Sequence, residues 1–476
     1  MNAKPAPSTE PAAQESYRIE TDSFGDVKVP TWAYWGAQTQ RAVDNFSVSD
    51  LRIPVPLIRA LGLVKEVSAE VNHGLGLIEG SIAKTVMQAA REMAEGAWNA
   101  HFPIDVFQTG SGTSWNMNAN EVIANRANEI LGHPRGSKKP VHPNDHVNRG
   151  QSSNDVIPTV ISMADREEAG EAARALGLLQ ESLERKTREF ASVLKIGRTH
   201  LQDAVPMTLG QEFSGYARQV EKGRELLERC FPGLEELAIG GTAIGTGLNA
   251  HPDFAARVVV GLAAKTGIPF REAKNKFEAI GARDSQVELM GALTTISVSL
   301  TKIANDLRLL ASGPRAGLAE IVLPALQPGS SIMPGKVNPV ILEMTIQAAA
   351  HIMGSSLSVT MAGQTGPLEL NMMQPIIAWE TLSSLSLLRR TASALAQRCV
   401  DGIQADVERS KEWIERSLAL VTPLSLRVGY DKAAKLAQKA LAENRTIREV
   451  VVAEGILTAN EADKFLDPKE MLGPKA

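Results

Sequence analysis

The feature that most constrains the fold of this chain is an apolar stripe that keeps helical spacing for 24 residues. It runs through eight positions from Val287 to Leu310, which corresponds to about 36 Å along one face of a helix. A second stripe runs from Leu209 to Leu227. Because helices this long can bury such faces only against each other, the pattern predicts a helical bundle. An aromatic content of only 4% also favours helix over sheet.

The length and the changes in pattern along the chain predict several domains. A chain of 476 residues has room for about three domains of ~150 residues. Residues 1–16 are rich in Pro, Ala and Ser, which predicts a disordered tail without the features of a leader peptide. We expect a mainly α chain, with a mostly helical N-terminal domain at 17–150, a central long-helix bundle at 151–410 and a small helical C-terminal domain at 411–476.

Composition argues against several classes of partner. The net charge is -4 and no run of Lys or Arg forms a basic stripe, so a nucleic-acid partner is not expected. No 18 consecutive residues are apolar, so a membrane span is not expected either. Cys230 and Cys399 lie in apolar helical contexts without Cys-x-x-Cys spacing. They are typical of reduced core residues in a cytoplasmic protein.

Two further patterns bear on metals and cofactors. His142, Asp145 and His146 are interrupted by proline and lack the i, i+4 placement of a helical zinc motif, so no metal site is expected. The glycines of Gly240–Gly247 fit neither a dinucleotide-binding fingerprint nor a P-loop. We interpret them as a helix-breaking turn and expect no organic cofactor, which argues against an NAD-dependent dehydrogenase.

A loop rich in Pro and Gly, Pro328–Pro339, lies between two long helical patterns. Lys336 supplies a positive charge and Asn338 two amide donors. Gly329 and Gly335 allow backbone N–H groups to approach an anion closely. The loop therefore has the chemistry of an anion-activating element, and an ordinary helix connector with an exposed lysine is the alternative.

Three other polar stretches lie close to predicted helix starts or breaks. Gly110–Thr113 comes shortly before a helix predicted at Ala119–Leu131, Ser152–Asn154 precedes a second helix, and Thr199–His200 interrupts the long-helix region. The free N–H groups of a helix N-terminus bind anions. The alternatives are simple capping by the hydroxyls and a structural histidine.

Together these stretches supply many neutral donors, one lysine and one histidine. That set suits a small carboxylate whose negative charge rises during the reaction. Removal of a proton beside a carboxylate forms an aci-carboxylate dianion, and its transition state is stabilised by donors already aimed at the carboxylate oxygens.

The string GSSIMPGKVNP at Gly329–Pro339 resembles the signature of the fumarase/aspartase superfamily. Other strings occur in the order and spacing of class II fumarases, and the similarity extends over nearly the whole chain from about Tyr17. They are GSGT at Gly110–Thr113, NMN at Asn116–Asn118, HPND at His142–Asp145, QSSND at Gln151–Asp155, GRTHLQDA at Gly197–Ala204, SGPRAGL at Ser312–Leu318 and GYDKAA at Gly429–Ala434.

The resemblance implies a three-domain, mainly helical fold and a homotetramer. In such a tetramer the central domains join in a twenty-helix bundle, and three subunits build each site. It also implies reversible trans hydration of fumarate to L-malate without a metal or an organic cofactor.

The resemblance also implies roles for individual residues. Ser330 would be the base that removes a proton anti to the leaving hydroxyl, with Lys336 and the loop N–H groups favouring its alkoxide. His200, oriented by Glu343, would exchange protons with the water or leaving hydroxide. The residues implied to bind substrate are Ser111, Gly112, Thr113, Asn116, Ser152, Ser153, Asn154, Thr199, Ser331, Lys336 and Asn338.

A second, outer dicarboxylate site of the family would involve His142, Pro143, Asn144 and Asp145. This chain has Lys139 where the family pattern has an arginine beside that site. It also departs from the pattern at Ala378–Trp379, and at Ser425 and Arg427.

Two alternative functions remain open. Aspartate ammonia-lyase, or another fumarate-forming lyase of the superfamily, is the first. Aspartases usually have glutamine at the position of His200, GAGT in place of GSGT, and alanine at the position of Gly335, so this chain has the fumarase choice at each. A catalytically silent structural relative is the second, and the presence of Ser330, His200 and Lys336 argues against it.

Overall fold

The structure is a computed structural model that describes residues 16–473. The predicted disordered tail therefore lies outside the described residues, except for Ser16. The carbonyl of Ser16 accepts a hydrogen bond of 2.9 Å from the backbone N–H of Thr31. Residue 16 thus continues the pairing of the first hairpin.

The described chain is mainly helical, and its strands pair only in twos. Short 3-10 and π-helical turns complete it. The strands are β1 (Tyr17–Asp22), β2 (Gly25–Pro30), β3 (Leu194–Thr199), β4 (Gln202–Thr208), β5 (Glu236–Leu237), β6 (Arg271–Glu272), β7 (Ile321–Val322) and β8 (Gln404–Ala405). The helices are α1 (Ala37–Asn45), α2 (Val55–Gly74), α3 (Gly80–Ala94), α4 (Thr113–Ile130), α5 (Ser153–Glu189), α6 (Leu209–Arg229), α7 (Phe231–Leu234), α8 (Phe254–Thr266), α9 (Lys276–Gly281), α10 (Asp284–Leu310), α11 (Val340–Gly363), α12 (Gln374–Arg398), α13 (Val407–Arg416), α14 (Ser425–Val428), α15 (Tyr430–Ala442), α16 (Ile447–Ala453) and α17 (Ala459–Phe465).

The chain forms two compact units. Within the described residues, the first comprises 16–168, 230–290 and 355–383, and the second comprises 169–229, 291–354 and 384–473. Both units are discontinuous in sequence because the long helices α5, α10, α11 and α12 cross from one to the other. The predicted division at residues 150 and 410 stays a prediction.

In the first unit, α2 packs against α3, α4 and α8 around one apolar core. Leu57, Leu61 and Val64 of α2 are completely buried in it, as are Trp115 of α4 and Phe254 of α8. This core fixes α4, so the polar residues at the start of α4 are held on a rigid element.

In the second unit, β3 and β4 form an antiparallel hairpin that pairs Leu194 with Thr208 and Thr199 with Gln202. Lys195 of β3 is 2% exposed and forms ion pairs with Glu212 (2.9 Å) and Glu320 (3.4 Å). The short helices that follow β8 enclose a separate small apolar core. The ion pairs hold the hairpin in place, and the shortening of helices beyond residue 401 follows the prediction.

The predicted stripe from Val287 to Leu310 is confirmed as a core face of α10. Seven of its eight side chains are buried, and Val287 is half-buried. The helical pattern predicted from Pro56 to about Ala100 is present but is divided between α2 and α3 at residues 75–79.

Helices α10 and α11 are long and apolar enough to cross a membrane, with mean hydropathies of 1.3 and 1.2. The sequence expectation of no span rested on runs of 18 apolar residues, a stricter criterion. Half of the most apolar window of α10 is buried within the chain, but only a third of that of α11. Core helices commonly have the same length and composition, so two such helices are weak evidence for a membrane span.

A buried carboxylate in the first unit makes its stability depend on pH. Asp165 is fully buried and accepts hydrogen bonds from Thr381 Oγ1 (2.7 Å) and Gln286 Nε2 (3.4 Å). Burial raises the pKa of Asp165 to about 7, and these hydrogen bonds and Arg283 oppose the shift. An acid whose pKa is higher in the folded state stabilises the fold at low pH, and that stability is lost as the pH rises toward the folded value.

We therefore expect Asp165→Asn to remove a decrease in stability that wild type shows between about pH 4 and pH 7. The decrease attributable to this residue is at most about 4 kcal/mol, from a shift of about three pKa units. Urea unfolding midpoints at pH 4 and pH 8 measure it, with exposed Asp50→Asn as the control. If Asp165→Asn keeps the pH dependence of wild type, another group causes the decrease.

Candidate active site

The N-terminus of α4 is open. Its N-cap residue is Gly112, in the left-handed conformation (φ +70°), and no side chain among the described residues caps it. The hydroxyls of Ser111 and Thr113 instead lie 2.7 Å from each other. The capping alternative for Gly110–Thr113 is therefore wrong, and the helix start is available to an anion. The helix begins at Thr113, six residues before the predicted Ala119, because buried Trp115 anchors its first turn.

Gly110 allows a second segment of the first unit to approach this helix start. A Cβ atom on Gly110 would lie 1.9 Å from the carbonyl oxygen of Met372. The backbone N–H of Gln374 donates to the carbonyl of Gly110 at 3.0 Å. Only glycine permits this backbone contact, which holds the segment after Asn371 against Gly110–Thr113.

The start of α5 lies beside the start of α4. Asn116 Nδ2 donates to Ser153 Oγ at 3.1 Å, which joins the first turns of the two helices. Ser152 Oγ accepts from the backbone N–H of Asn154 at 3.2 Å. Five predicted binding residues, Ser111, Thr113, Ser152, Ser153 and Asn154, therefore belong to two neighbouring helix starts of one unit. Asn116 itself is completely buried.

Asp155 attaches the glycine-rich turn at Gly240–Gly247 to this region. Its buried carboxylate accepts backbone N–H groups from Ser152, Gly240 and Thr242, each at 2.9 Å. Burial raises the pKa of Asp155 to about 6, and the three N–H donors oppose the shift. Asn154 Nδ2 also donates to the carbonyl of Ala243 at 2.8 Å. The predicted turn is confirmed, but its support of the start of α5 could not be predicted from the sequence.

In the second unit, Thr199 ends β3 and His200 begins the two-residue hairpin turn. His200 and Leu201 have φ values of +55° and +60°, a conformation that usually requires glycine, asparagine or aspartate. Arg198, just before the turn, anchors it by donating to both carboxylate oxygens of buried Glu320 at 3.0 and 2.9 Å. Strained residues held by such anchors are concentrated at functional sites.

The loop 329–339 also lies in the second unit and closes on itself. The backbone N–H of Gly329 donates to the carbonyl of Lys336 at 2.8 Å, and Asn338 Nδ2 donates to the carbonyl of Gly329 at 2.6 Å. Ser330 Oγ accepts backbone N–H groups from Ile332 (3.2 Å) and Met333 (2.9 Å). Donors aimed at an oxygen favour its negatively charged form.

Some predicted partners are not brought together within one chain. The side chains of His200 and Lys336 are exposed, and Glu343 is half-buried in the first turn of α11. Within residues 16–473, no hydrogen bond or ion pair joins His200 to Glu343. The predicted orientation of His200 by Glu343 and the role of Ser331, which is exposed beside Ser330, stay predictions.

The predicted outer site lies in a π-helical turn of the first unit, Pro143–Val147. His142 Nδ1 accepts the backbone N–H groups of Asn144 (3.2 Å) and Asp145 (3.3 Å), and Asp145 Oδ2 lies 3.3 Å from the same nitrogen. The side chain of Asp145 is exposed. In the part of the chain that the structure describes, no three His, Cys, Asp or Glu side chains group closely enough to hold a metal ion.

Comparison with family models gives the class of the protein. Residues 25–354 match the model described as lyase, and residues 420–473 match the model of the fumarase C C-terminus. These two matches define a lyase with a fumarase-type C-terminal segment.

Individual relatives narrow this class further. The chain is 51% identical over 467 residues to mitochondrial fumarate hydratase of Rattus norvegicus, covering 98% of this chain and 92% of that protein. It is 50% identical over 462 residues to class II fumarate hydratase of Nitrosomonas europaea, covering 96% and 99%. The crystal structure of class II fumarase from Schistosoma mansoni superposes with a TM-score of 0.93 at 40% identity, covering 97% and 100%. The chain belongs to the class II fumarase family, and the predicted fumarase/aspartase-like fold is confirmed.

Proposed function

We infer that this protein is a hydro-lyase that catalyses the reversible hydration of fumarate to L-malate. Relatives of about 50% identity along nearly the whole chain are named fumarate hydratase. The observation that carries the chemistry is the pair of backbone N–H groups that donate to Ser330 Oγ. They stabilise the serine alkoxide that the reaction requires.

In the malate-to-fumarate direction, the Ser330 alkoxide takes a proton from the carbon beside one carboxylate. The electron pair of that C–H bond moves into the carboxylate and forms the aci-carboxylate dianion. The pair then returns to form the C–C double bond as the C–O bond on the opposite face breaks. His200 gives the leaving hydroxide a proton, so fumarate and water are released.

The aci-carboxylate group of the intermediate carries two negative charges, whereas the same carboxylate in malate or fumarate carries one. The intermediate therefore needs more stabilisation than either substrate does. The open start of α4 and the hydroxyls of Ser152 and Ser153 supply neutral donors. Lys336 and Asn338 supply a cation and an amide. Loss of a donor whose hydrogen bond strengthens only in the transition state typically lowers kcat about 100- to 1000-fold. Loss of a donor that binds substrate and transition state equally raises KM instead.

We also propose a cytoplasmic homotetramer in which three subunits build each site. Exposure of His200 and Lys336 in the single chain supports this assembly, because catalytic groups need surroundings that exclude water. Exposed apolar side chains on α10 and α11, such as Val298 (55%) and Leu357 (63%), favour burial against further copies of the chain. Cys230 and Cys399 are buried and form no disulfide among the described residues, which supports a reducing compartment.

The test follows the absorbance of the fumarate double bond with purified, metal-stripped protein. One reaction contains L-malate and the other contains L-aspartate. Fumarate formation from malate without a response to aspartate supports the inference, and sedimentation should give a tetramer. Formation from aspartate alone would replace this function with that of an amine lyase.

A further inference from the structure

Lys65 is a buried lysine whose ammonium group lies behind the two helix starts of the first unit. It is on α2, it is 0% exposed, and lysine is almost never buried without a partner. Its Nζ donates to Asn148 Oδ1 and Gln151 Oε1, each at 2.9 Å. Burial lowers the pKa of Lys65 to about 7, opposed by the charge of Asp155.

The lysine fixes the direction of the hydrogen bonds around it. A lysine ammonium only donates, so the groups that face it must be the amide oxygens of Asn148 and Gln151. Asn148 Nδ2 is then turned toward the carbonyl of Gln151, at 3.1 Å. This leaves Asn148 Oδ1 as an acceptor for Asn116 Nδ2, at 3.2 Å.

The orientation of Asn116 in turn fixes which atom donates in its hydrogen bond with Ser153. The amide nitrogen of Asn116 donates to both Asn148 Oδ1 and Ser153 Oγ. A hydroxyl that accepts a hydrogen bond keeps its own hydrogen for another partner. Ser153 is half-buried at the start of α5, so its hydroxyl hydrogen is available to an anion there.

The opposite arrangement is possible without Lys65. Asn116 Oδ1 is buried and has no hydrogen-bond partner among the described residues. If Asn148 rotated its amide by 180°, Asn116 could do the same, and its oxygen would then accept the hydroxyl hydrogen of Ser153. The rotation would exchange an unsatisfied buried oxygen of Asn116 for an unsatisfied buried NH2 group, so the orientation of Asn116 depends on which atom Asn148 presents to it. Lys65 opposes rotation of Asn148, because that rotation would turn the NH2 group of Asn148 toward the ammonium.

We propose that Lys65 is a positioning residue that acts through Asn148 and Asn116 to keep the hydroxyl hydrogen of Ser153 directed toward a substrate carboxylate. This inference rests on the proposed function. It differs from a purely structural role for Lys65, which would affect stability and leave the direction of the hydrogen bonds irrelevant.

The test is a double-mutant cycle of Lys65→Met and Ser153→Ala, with kcat and KM for L-malate measured for each variant. We expect each single variant to lower kcat/KM about 10- to 100-fold, mainly by raising KM. The double variant should be no worse than the poorer single variant, because both remove the same hydrogen bond to substrate. Effects that multiply would overturn the inference.

Asn148→Leu provides a second route if Lys65→Met does not fold, since Asn148 is only half-buried. It removes the acceptor that fixes Asn116 and should raise KM in the same way. The matched control is Lys186→Met, another buried lysine (7% exposed), which donates to the carbonyl of Ile403 at 2.8 Å. This control should lower the unfolding temperature and leave KM unchanged.

The wild-type protein in the same assay separates the two claims. If wild type does not turn over malate, the proposed function is wrong and this inference falls with it. If wild type is active and Asn148→Leu keeps kcat/KM within twofold, the role of Lys65 is wrong and the function stands.

Discussion

Replacement of Ser330 by alanine is expected to lower kcat for malate dehydration by at least about 1000-fold. The substitution removes the oxygen on which the N–H groups of Ile332 and Met333 converge. Because the loop is exposed and the backbone is unchanged, folding and subunit assembly should persist. Steady-state kinetics, circular dichroism and sedimentation together measure these outcomes.

The matched control is the neighbouring hydroxyl, Ser331. It is predicted to bind a carboxylate, so Ser331→Ala should raise KM and lower kcat less than Ser330→Ala does. Turnover of Ser330→Ala at the wild-type rate would exclude Ser330 as the base. Equal losses in the two variants would mean that the loop only binds substrate.

Gly329→Ala is expected to cause the second large loss, about 100- to 1000-fold in kcat/KM. The added Cβ would lie 2.6 Å from the carbonyl oxygen of Lys336 and 2.7 Å from the backbone nitrogen of Asn338. Neither is a side-chain atom that can rotate away, so the loop must open and displace both Ser330 and Lys336. Misplacement of reacting groups by about 1 Å can cost about 100-fold.

Gly335→Ala in the same loop separates the effect of crowding from that of backbone strain. Gly335 has φ +82°, but an added Cβ would meet no described atom within 4 Å. A left-handed alanine costs only roughly 1–2 kcal/mol, so we expect a decrease of about tenfold or less in kcat/KM. If the two variants lose the same activity, closure of the loop around Gly329 is not what positions Ser330.

Some features could be predicted from the sequence because their cause is local. The spacing of the apolar residues from Val287 to Leu310 is set by the helix period. Both the helix and its buried face could therefore be predicted from the sequence. The loop 329–339 was predictable because its prolines and glycines exclude regular structure. Its internal hydrogen bonds were not, because they depend on the conformation in which the loop closes.

Other features depend on residues far apart in the chain. The predicted start of α4 at Ala119 was wrong because the apolar pattern is weak in the first turn, where Trp115 alone anchors the helix in the core. The hairpin of β3 and β4 was missed because His200 and Leu201 are not typical turn residues. Their left-handed conformation is held through Arg198 by Glu320, which is 122 residues away.

Within the candidate site, Lys65 could not be predicted for the same reason. In the sequence it is one polar residue in an amphipathic helix and would be expected to face solvent. Its partners, Asn148 and Gln151, are 83 and 86 residues away. Only the packing of α2 against the segment before α5 shows that it is buried beneath predicted binding residues.

The most direct test of the central claim is hydration of fumarate in D2O, followed by proton NMR of the malate formed. A base and a water-activating group on opposite faces predict one deuteron at C3, anti to the new hydroxyl, seen as a single H2–H3 coupling constant. Malate labelled on both faces of C3, or no malate at all, would contradict the account.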